Sequence, residues 1–325
     1  MDWIKIVLQA LAGLTLFLYG VTRLSDSLQQ VAGERMKTLL ARFTTHPLAG
    51  VATGTIATTL LDSSSVTIIL VIALVNSGLL SFTQALGVIM GANIGTTVSS
   101  QIIAFQINEY AAIVLVAGFA MYFMGKTDLI KNLGLVLFGF GLIFFGLNVI
   151  DQAAEPLHDY PPFVAWMKGL ENPWWGMLVG AGFTVLIQSS SATLGIIITL
   201  ASEGLLSLPA GIAIMLGAEI GTCADTLIAS LGRSREALRA GVFHLLFNAV
   251  TALVGVALAS QLGKAAVLLA PAGHVSRQIA NAHLLFNVGG VGLLIWFVPL
   301  MSRWLTRLIP DKRADGQSVW KEARI

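Results

Sequence analysis

The 325-residue chain is 56% hydrophobic and only 11% charged, and its mean hydropathy of +0.82 lies far outside the range of soluble domains, so it reads as a polytopic membrane protein. A net charge of +2 gives no sign of a nucleic-acid partner. The single cysteine, Cys223, excludes an intramolecular disulfide and a cysteine-built metal site.

The first apolar stretch, about residues 4 to 22, is long enough to span and has neither a basic start nor a small-residue cleavage site. It reads as the first membrane helix. Further runs that cross, or nearly so, fall at about 82 to 104, 110 to 124, 132 to 150, 208 to 231, 240 to 259 and 277 to 300, which predicts about seven transmembrane spans. Two more apolar stretches, about 47 to 76 and 173 to 202, are interrupted at their centres by Asp62-Ser63-Ser64-Ser65 and Gln188-Ser189-Ser190-Ser191.

If those two stretches crossed, Lys126 and Lys131 would face the side opposite Arg233, Arg235 and Arg239. If each dips in and returns, these residues share one side with Arg23, Arg35, Lys37, Arg42, Arg303, Arg307, Lys312 and Arg313, as the positive-inside rule requires. Asp151, Glu155, Asp159 and Glu171 then face outward, the N-terminus is outside, and the C-terminus is cytoplasmic. An arm from Pro47 to Leu61 rises roughly 22 Å as a helix, short of a hydrocarbon core about 30 Å thick, so each hairpin is expected to end near mid-membrane.

Sliding the chain by 126 residues aligns Gly13 with Gly139, Gly20 with Gly146, Pro47 with Pro173 and each serine triplet with the other, without gaps. The same offset places Gly91 to Thr96 (GANIGT) on Gly217 to Thr222 (GAEIGT). Three predicted crossings separate the copies, an odd number, so the second copy is expected to be inverted. The expected fold is an all-α polytopic membrane protein of inverted-topology repeats, each with a re-entrant helical hairpin. Residues 1–131 form the first repeat (hairpin 47–76), 132–260 the second (hairpin 173–202), 261–309 an additional C-terminal span, and 310–325 a short cytoplasmic tail. Broken helices meeting at mid-membrane are the organisation of a secondary transporter.

Backbone that stops being helical in hydrocarbon leaves N–H and C=O groups that protein, water or substrate must satisfy. The arm after each tip starts at the serines, so its first N–H groups and the positive end of its dipole face the tip, an anion-binding arrangement. Serine and threonine hydroxyls donate to anion oxygens, while their lone pairs suit a hard cation such as sodium. The GANIGT and GAEIGT segments supply carbonyls together with Asn93, Thr96, Glu219 and Thr222, and they read either as ligands or as close packing by small residues. Asp62, Glu219 and Asp225 are acids at depth with no basic neighbour in sequence, neutralised by cations or protons or placed in a water-filled vestibule. His244, Asn248, His283 and Asn287, in two HLLFN segments, share helical faces and read as interhelical hydrogen-bonding groups or a proton relay.

Leu186 to Gly195 (LIQSSSATLG) resembles the doubled Q-S-S-S signature of the type II sodium/phosphate cotransporter family, and Met90 to Val98 (MGANIGTTV) resembles the sequence that follows it in bacterial members. The resemblance covers about residues 10 to 300. It implies sodium-driven import of inorganic phosphate across the bacterial inner membrane by alternating access, with sodium ions as co-transported partners and no organic cofactor or enzyme activity. It further implies that Ser63, Ser64, Gln188, Ser189 and Ser190 cradle phosphate, with Ser65, Thr67, Ser191 and Thr193 nearby for sodium.

Asp62 departs from the family pattern, which has Gln at that position. An acid there repels a phosphate dianion unless it is protonated or holds a cation, so it is expected to strengthen a sodium site or to bring proton coupling. The tail from Pro310 is shorter than the cytoplasmic regulatory domain of some bacterial relatives, and regulation of that kind is not expected. The competing reading is a transporter or channel for another anion or small solute. A serine hydrolase is disfavoured, because no G-x-S-x-G motif accompanies the histidines and catalysis needs one nucleophile, not six matching hydroxyls.

Overall fold

The computed structural model describes residues 2–44, 46–105, 110–270 and 273–311, and among these every regular element is a helix. The chain runs α1 (Trp3–Phe43), α2 (Pro47–Leu61), α3 (Ser64–Asn76), α4 (Phe82–Ile103), α5 (Ala111–Met124), α6 (Asp128–Ala154) and α7 (Pro161–Gly169). It continues through α8 (Pro173–Ile187), α9 (Ser190–Ser202), α10 (Leu208–Gly221), α11 (Cys223–Ser230), α12 (Arg235–Ala257), α13 (Ala259–Leu268), α14 (Val275–Leu294) and α15 (Val298–Leu308). The tail from Lys312 onward lies outside the described residues.

Among the described residues, six helical stretches are long and apolar enough to cross a membrane, one fewer than predicted: Trp3–Phe43, Phe82–Ile103, Asp128–Leu157, Leu208–Ser230, Arg235–Ala257 and Val275–Leu308. The stretch expected to cross at about 110 to 124 is α5, whose 14 residues rise roughly 21 Å before the chain turns extended at Gly125. By itself that is short of the hydrocarbon thickness, but α5 runs antiparallel along α6, with Gly118 against Phe138 and Gly134 against Tyr122, so the chain still reverses direction between α4 and α6. The polar Lys126-Thr127-Asp128 then favours a new helix start, with the Thr127 side chain capping Ile130 N.

Both serine stretches break where the sequence places the polar tips, for a local reason. Asp62 (φ 52°) and Gln188 (φ 55°) adopt the left-handed conformation that ends α2 and α8, and they are the only described non-glycine residues with positive φ. Ser63 and Ser189 are extended, and each caps the next helix by accepting from Val66 N (3.2 Å) and Ala192 N (3.1 Å).

Small residues set the packing around these tips. A Cβ on Gly91 of α4 would sit 2.0 Å from the Val51 carbonyl of α2, and one on Gly217 of α10 would sit 2.0 Å from the Met177 carbonyl of α8. On the long helices, Gly13 of α1 abuts Gly146 of α6, and Gly20 abuts Gly139. Position rises along one helix as it falls along the other, so α1 and α6 pack antiparallel.

Candidate functional site

The two breaks meet at one cavity of about 480 Å³, walled by Asp62 to Val66 from one side and Leu186 to Ser191 from the other. Thr222, at the junction of α10 and α11, completes this part of the wall and stands 3.4 Å from Ser65 Oγ. Of the residues expected at the site, Asp62, Ser63, Ser64, Ser65, Gln188, Ser189, Ser190, Ser191 and Thr222 all line the cavity.

Within each triplet the hydroxyls have different tasks. Ser63 and Ser189 are engaged as helix caps. Ser64 and Ser190 are nearly buried, at 5% and 4% exposure, and neither hydroxyl has a hydrogen-bond partner among the described residues. A buried hydroxyl left free at a cavity wall is available to a ligand. Because α3 and α9 begin at these serines, the N–H groups of their first turns also lack intrahelical acceptors and present the positive dipole end. Two helix N-termini therefore converge on one polar cavity.

Among the described residues the lining contains two carboxylates, Asp62 and Asp26, and no lysine, arginine or histidine. Asp62 accepts a hydrogen bond from Ser99 Oγ of α4. An anion in this cavity would meet neutral donors and helix ends, and it would face two carboxylates.

The structure does not bring Thr67, Thr193, Asn93, Thr96 or Glu219 to the cavity surface. Thr67 and Thr193 lie just behind the tips, fully buried, donating back to the carbonyls of Ser63 (3.0 Å) and Ser189 (3.2 Å), and Thr193 also meets Thr184 at 2.7 Å. Thr96 donates to the Ala92 carbonyl of its own helix at 3.1 Å. Asn93 donates to Asn248 Oδ1 of α12 at 2.6 Å, and Glu219 Oε1 accepts from His283 Nε2 of α14 at 2.9 Å. Asp225 likewise falls outside the cavity lining, with its carboxylate accepting from Thr226 N at 2.6 Å.

The histidines hold helices together. His244 Nδ1 meets Thr226 Oγ1 at 2.7 Å, and His283 Nδ1 meets Ser100 Oγ at 2.8 Å. Ser100 and Thr226 are 126 residues apart, so the two HLLFN segments make matching bonds to matching places. Both imidazoles are fully buried. His283→Leu strands the Glu219 carboxyl without a partner and is expected to lower stability by about 3–5 kcal/mol, whereas Glu219→Gln retains an acceptor for the imidazole and costs less. Thermal unfolding in detergent compares the two.

Sequence reading missed the cavity's third wall. Thr22, Ser25, Asp26 and Gln29 of α1 line it, and Ser25 Oγ donates to the Leu61 carbonyl at the end of α2 (3.4 Å). Their i, i+3, i+4, i+7 spacing on a membrane helix was the available signal.

The family described as Na+/Pi-cotransporter matches residues 16–152 and 164–274. YqeW of Bacillus subtilis (strain 168) is 31% identical over 301 residues, covering 91% of this chain and 96% of that protein. A Salmonella typhimurium protein named "Putative inorganic phosphate export protein YjbB" is 25% identical over 307 residues, which are 94% of this chain but 56% of the relative's length. A 100-residue stretch, 30% of this chain and 15% of the relative, is 38% identical to "Sodium-dependent phosphate transport protein 2A" of Mus musculus. No solved structure matches.

Proposed function

Because the chain belongs to the Na+/Pi-cotransporter family, we propose that it is a sodium-coupled symporter that imports inorganic phosphate by alternating access across a bacterial inner membrane. The observation that carries this reading is the single cavity in which two helix N-termini, the free Ser64 and Ser190 hydroxyls and the acid Asp62 come together. Phosphate sits between the tips, held by Ser63, Ser64, Gln188, Ser189, Ser190 and the N–H groups of the first turns. Sodium takes Asp62, Ser65, Ser191 and Thr222, where hydroxyl and carboxylate oxygens suit a hard cation. Thr67 and Thr193 back these groups, while Asn93, Thr96 and Glu219 belong to the scaffold.

The inverted repeat has support in the packing of α1 on α6. These two helices start the two copies, and Gly13 meets the counterpart of Gly20 while Gly20 meets the counterpart of Gly13. Two equivalent helices packed antiparallel are related by a two-fold axis perpendicular to both, which for membrane-crossing helices lies in the membrane plane. Hairpin one then enters from the cytoplasm and hairpin two from outside, with the N-terminus outside.

Uptake of labelled phosphate into proteoliposomes tests the function. An inward sodium gradient drives accumulation and a matched potassium gradient does not; reversing the gradient tests direction, since YjbB is named for export. A second reading, proton coupling through Asp62, draws on that acid's place at the tip. Asp62→Asn preserves a side chain that tolerates the left-handed backbone and can still accept from Ser99. It is expected to raise the sodium half-saturation about tenfold under the first reading, or to abolish the response to a pH gradient under the second. Unchanged sodium and pH dependence removes Asp62 from coupling.

A further inference from the structure

The cavity is lopsided with respect to the repeat. Its third wall is Thr22, Ser25, Asp26 and Gln29 of α1, whereas the positions 126 residues on, Asn148, Asp151, Gln152 and Glu155 on α6 and the turn after it, do not line it. All four counterparts are polar, and they fall on one helix face. Each stripe is tied by an i, i+4 side-chain bond, Gln29 Nε2 to Ser25 Oγ at 3.3 Å in α1 and Gln152 Nε2 to Asn148 Oδ1 at 2.8 Å in α6.

Their placement is also opposite. The α1 stripe begins two residues beyond Gly20 and the α6 stripe two residues beyond Gly146, and because the helices cross antiparallel through these glycines the stripes lie on opposite sides of the crossing. Asp151 is the odd member. Its Oδ1 is buried and accepts from no donor among the described residues, and the carboxyl group of Glu203 stands within hydrogen-bonding reach of it. Two neighbouring acids at this depth are accommodated by a proton shared between them, by a cation, or by water.

We infer that the α6 stripe Asn148–Asp151–Gln152–Glu155 is the access wall of the opposite-facing state, the surface past which phosphate and its cation reach the site from the other side. This rests on the inverted-repeat reading above. Applying the two-fold to an asymmetric cavity exchanges the roles of α1 and α6, so the wall exposed on one helix in one state is exposed on its equivalent in the other.

Cysteine accessibility tests it, and the chain has only Cys223 to remove. On a Cys223→Ser background in oriented vesicles, Asn148→Cys and Asp151→Cys serve separately as reporters, each with and without Asp26→Cys. Asp26→Cys is first capped from its own side with a bulky membrane-impermeant maleimide, which props that cavity open. Labelling of either reporter from the other side is expected to slow at least tenfold after capping. Labelling at an unchanged rate, labelling from the same side as Asp26→Cys, or no labelling at all overturns the inference. Labelling reads the motion whatever is carried, so reciprocal accessibility without phosphate uptake keeps the wall and defeats the phosphate reading. Sodium-driven uptake without reciprocity does the reverse.

Discussion

Ser64→Ala and Ser190→Ala are each expected to weaken phosphate half-saturation about 10- to 100-fold while leaving the thermal midpoint in detergent almost unchanged. The first expectation follows from the strength of a hydrogen bond to a charged group, about 1.5–3 kcal/mol. The second follows because neither hydroxyl has a protein partner among the described residues, so truncation strands no buried donor or acceptor. Ser63→Ala and Ser189→Ala behave differently. Each removes a cap on the first turn of α3 or α9 and costs about 1 kcal/mol of stability in addition to any loss of uptake. Uptake kinetics and thermal unfolding measured together separate the two kinds of serine; equal losses of stability at all four would refute the division.

Gly217→Ala is expected to lower stability by about 3 kcal/mol or more, because its Cβ would stand 2.0 Å from the Met177 carbonyl and backbone cannot step aside as a side chain can. Gly91→Ala, facing the Val51 carbonyl at the same 2.0 Å, behaves alike. For a protein of this size the drop corresponds to roughly 5–10 °C in thermal midpoint. Gly182→Ala is the control: it lies within α8 on an exposed position, has nothing within 4 Å of the added methyl, and is expected to hold the midpoint or raise it slightly. If Gly217→Ala and Gly182→Ala melt together, close approach of α8 to α10 does not hold the second broken helix pair in position.

The breaks in the two interrupted stretches were legible residue by residue. Helices ending at Leu61 and Ile187 and restarting at Ser64 and Ser190 lie where the polar tips fall in the sequence, because a helix end is a local event. An Asp or Gln with polar neighbours takes the left-handed turn, and the serine immediately before the next helical residue caps it. The length of α5 was less legible, since an apolar run shows where a helix is comfortable in lipid but not where packing and a polar turn stop it.

By itself, then, the sequence determined that this is a helical membrane protein with two like segments, where each breaks, and which serines stand at the breaks. Only the tertiary structure decided which hydroxyls are spent as caps and which are free, that Asn93 and Glu219 face Asn248 and His283 and not the cavity, and that α1 supplies its third wall. The division has a physical cause. Capping and helix ends depend on neighbours a few residues away, whereas in a chain apolar on nearly every face, the side a polar residue turns to is set by whichever distant helix packs against it.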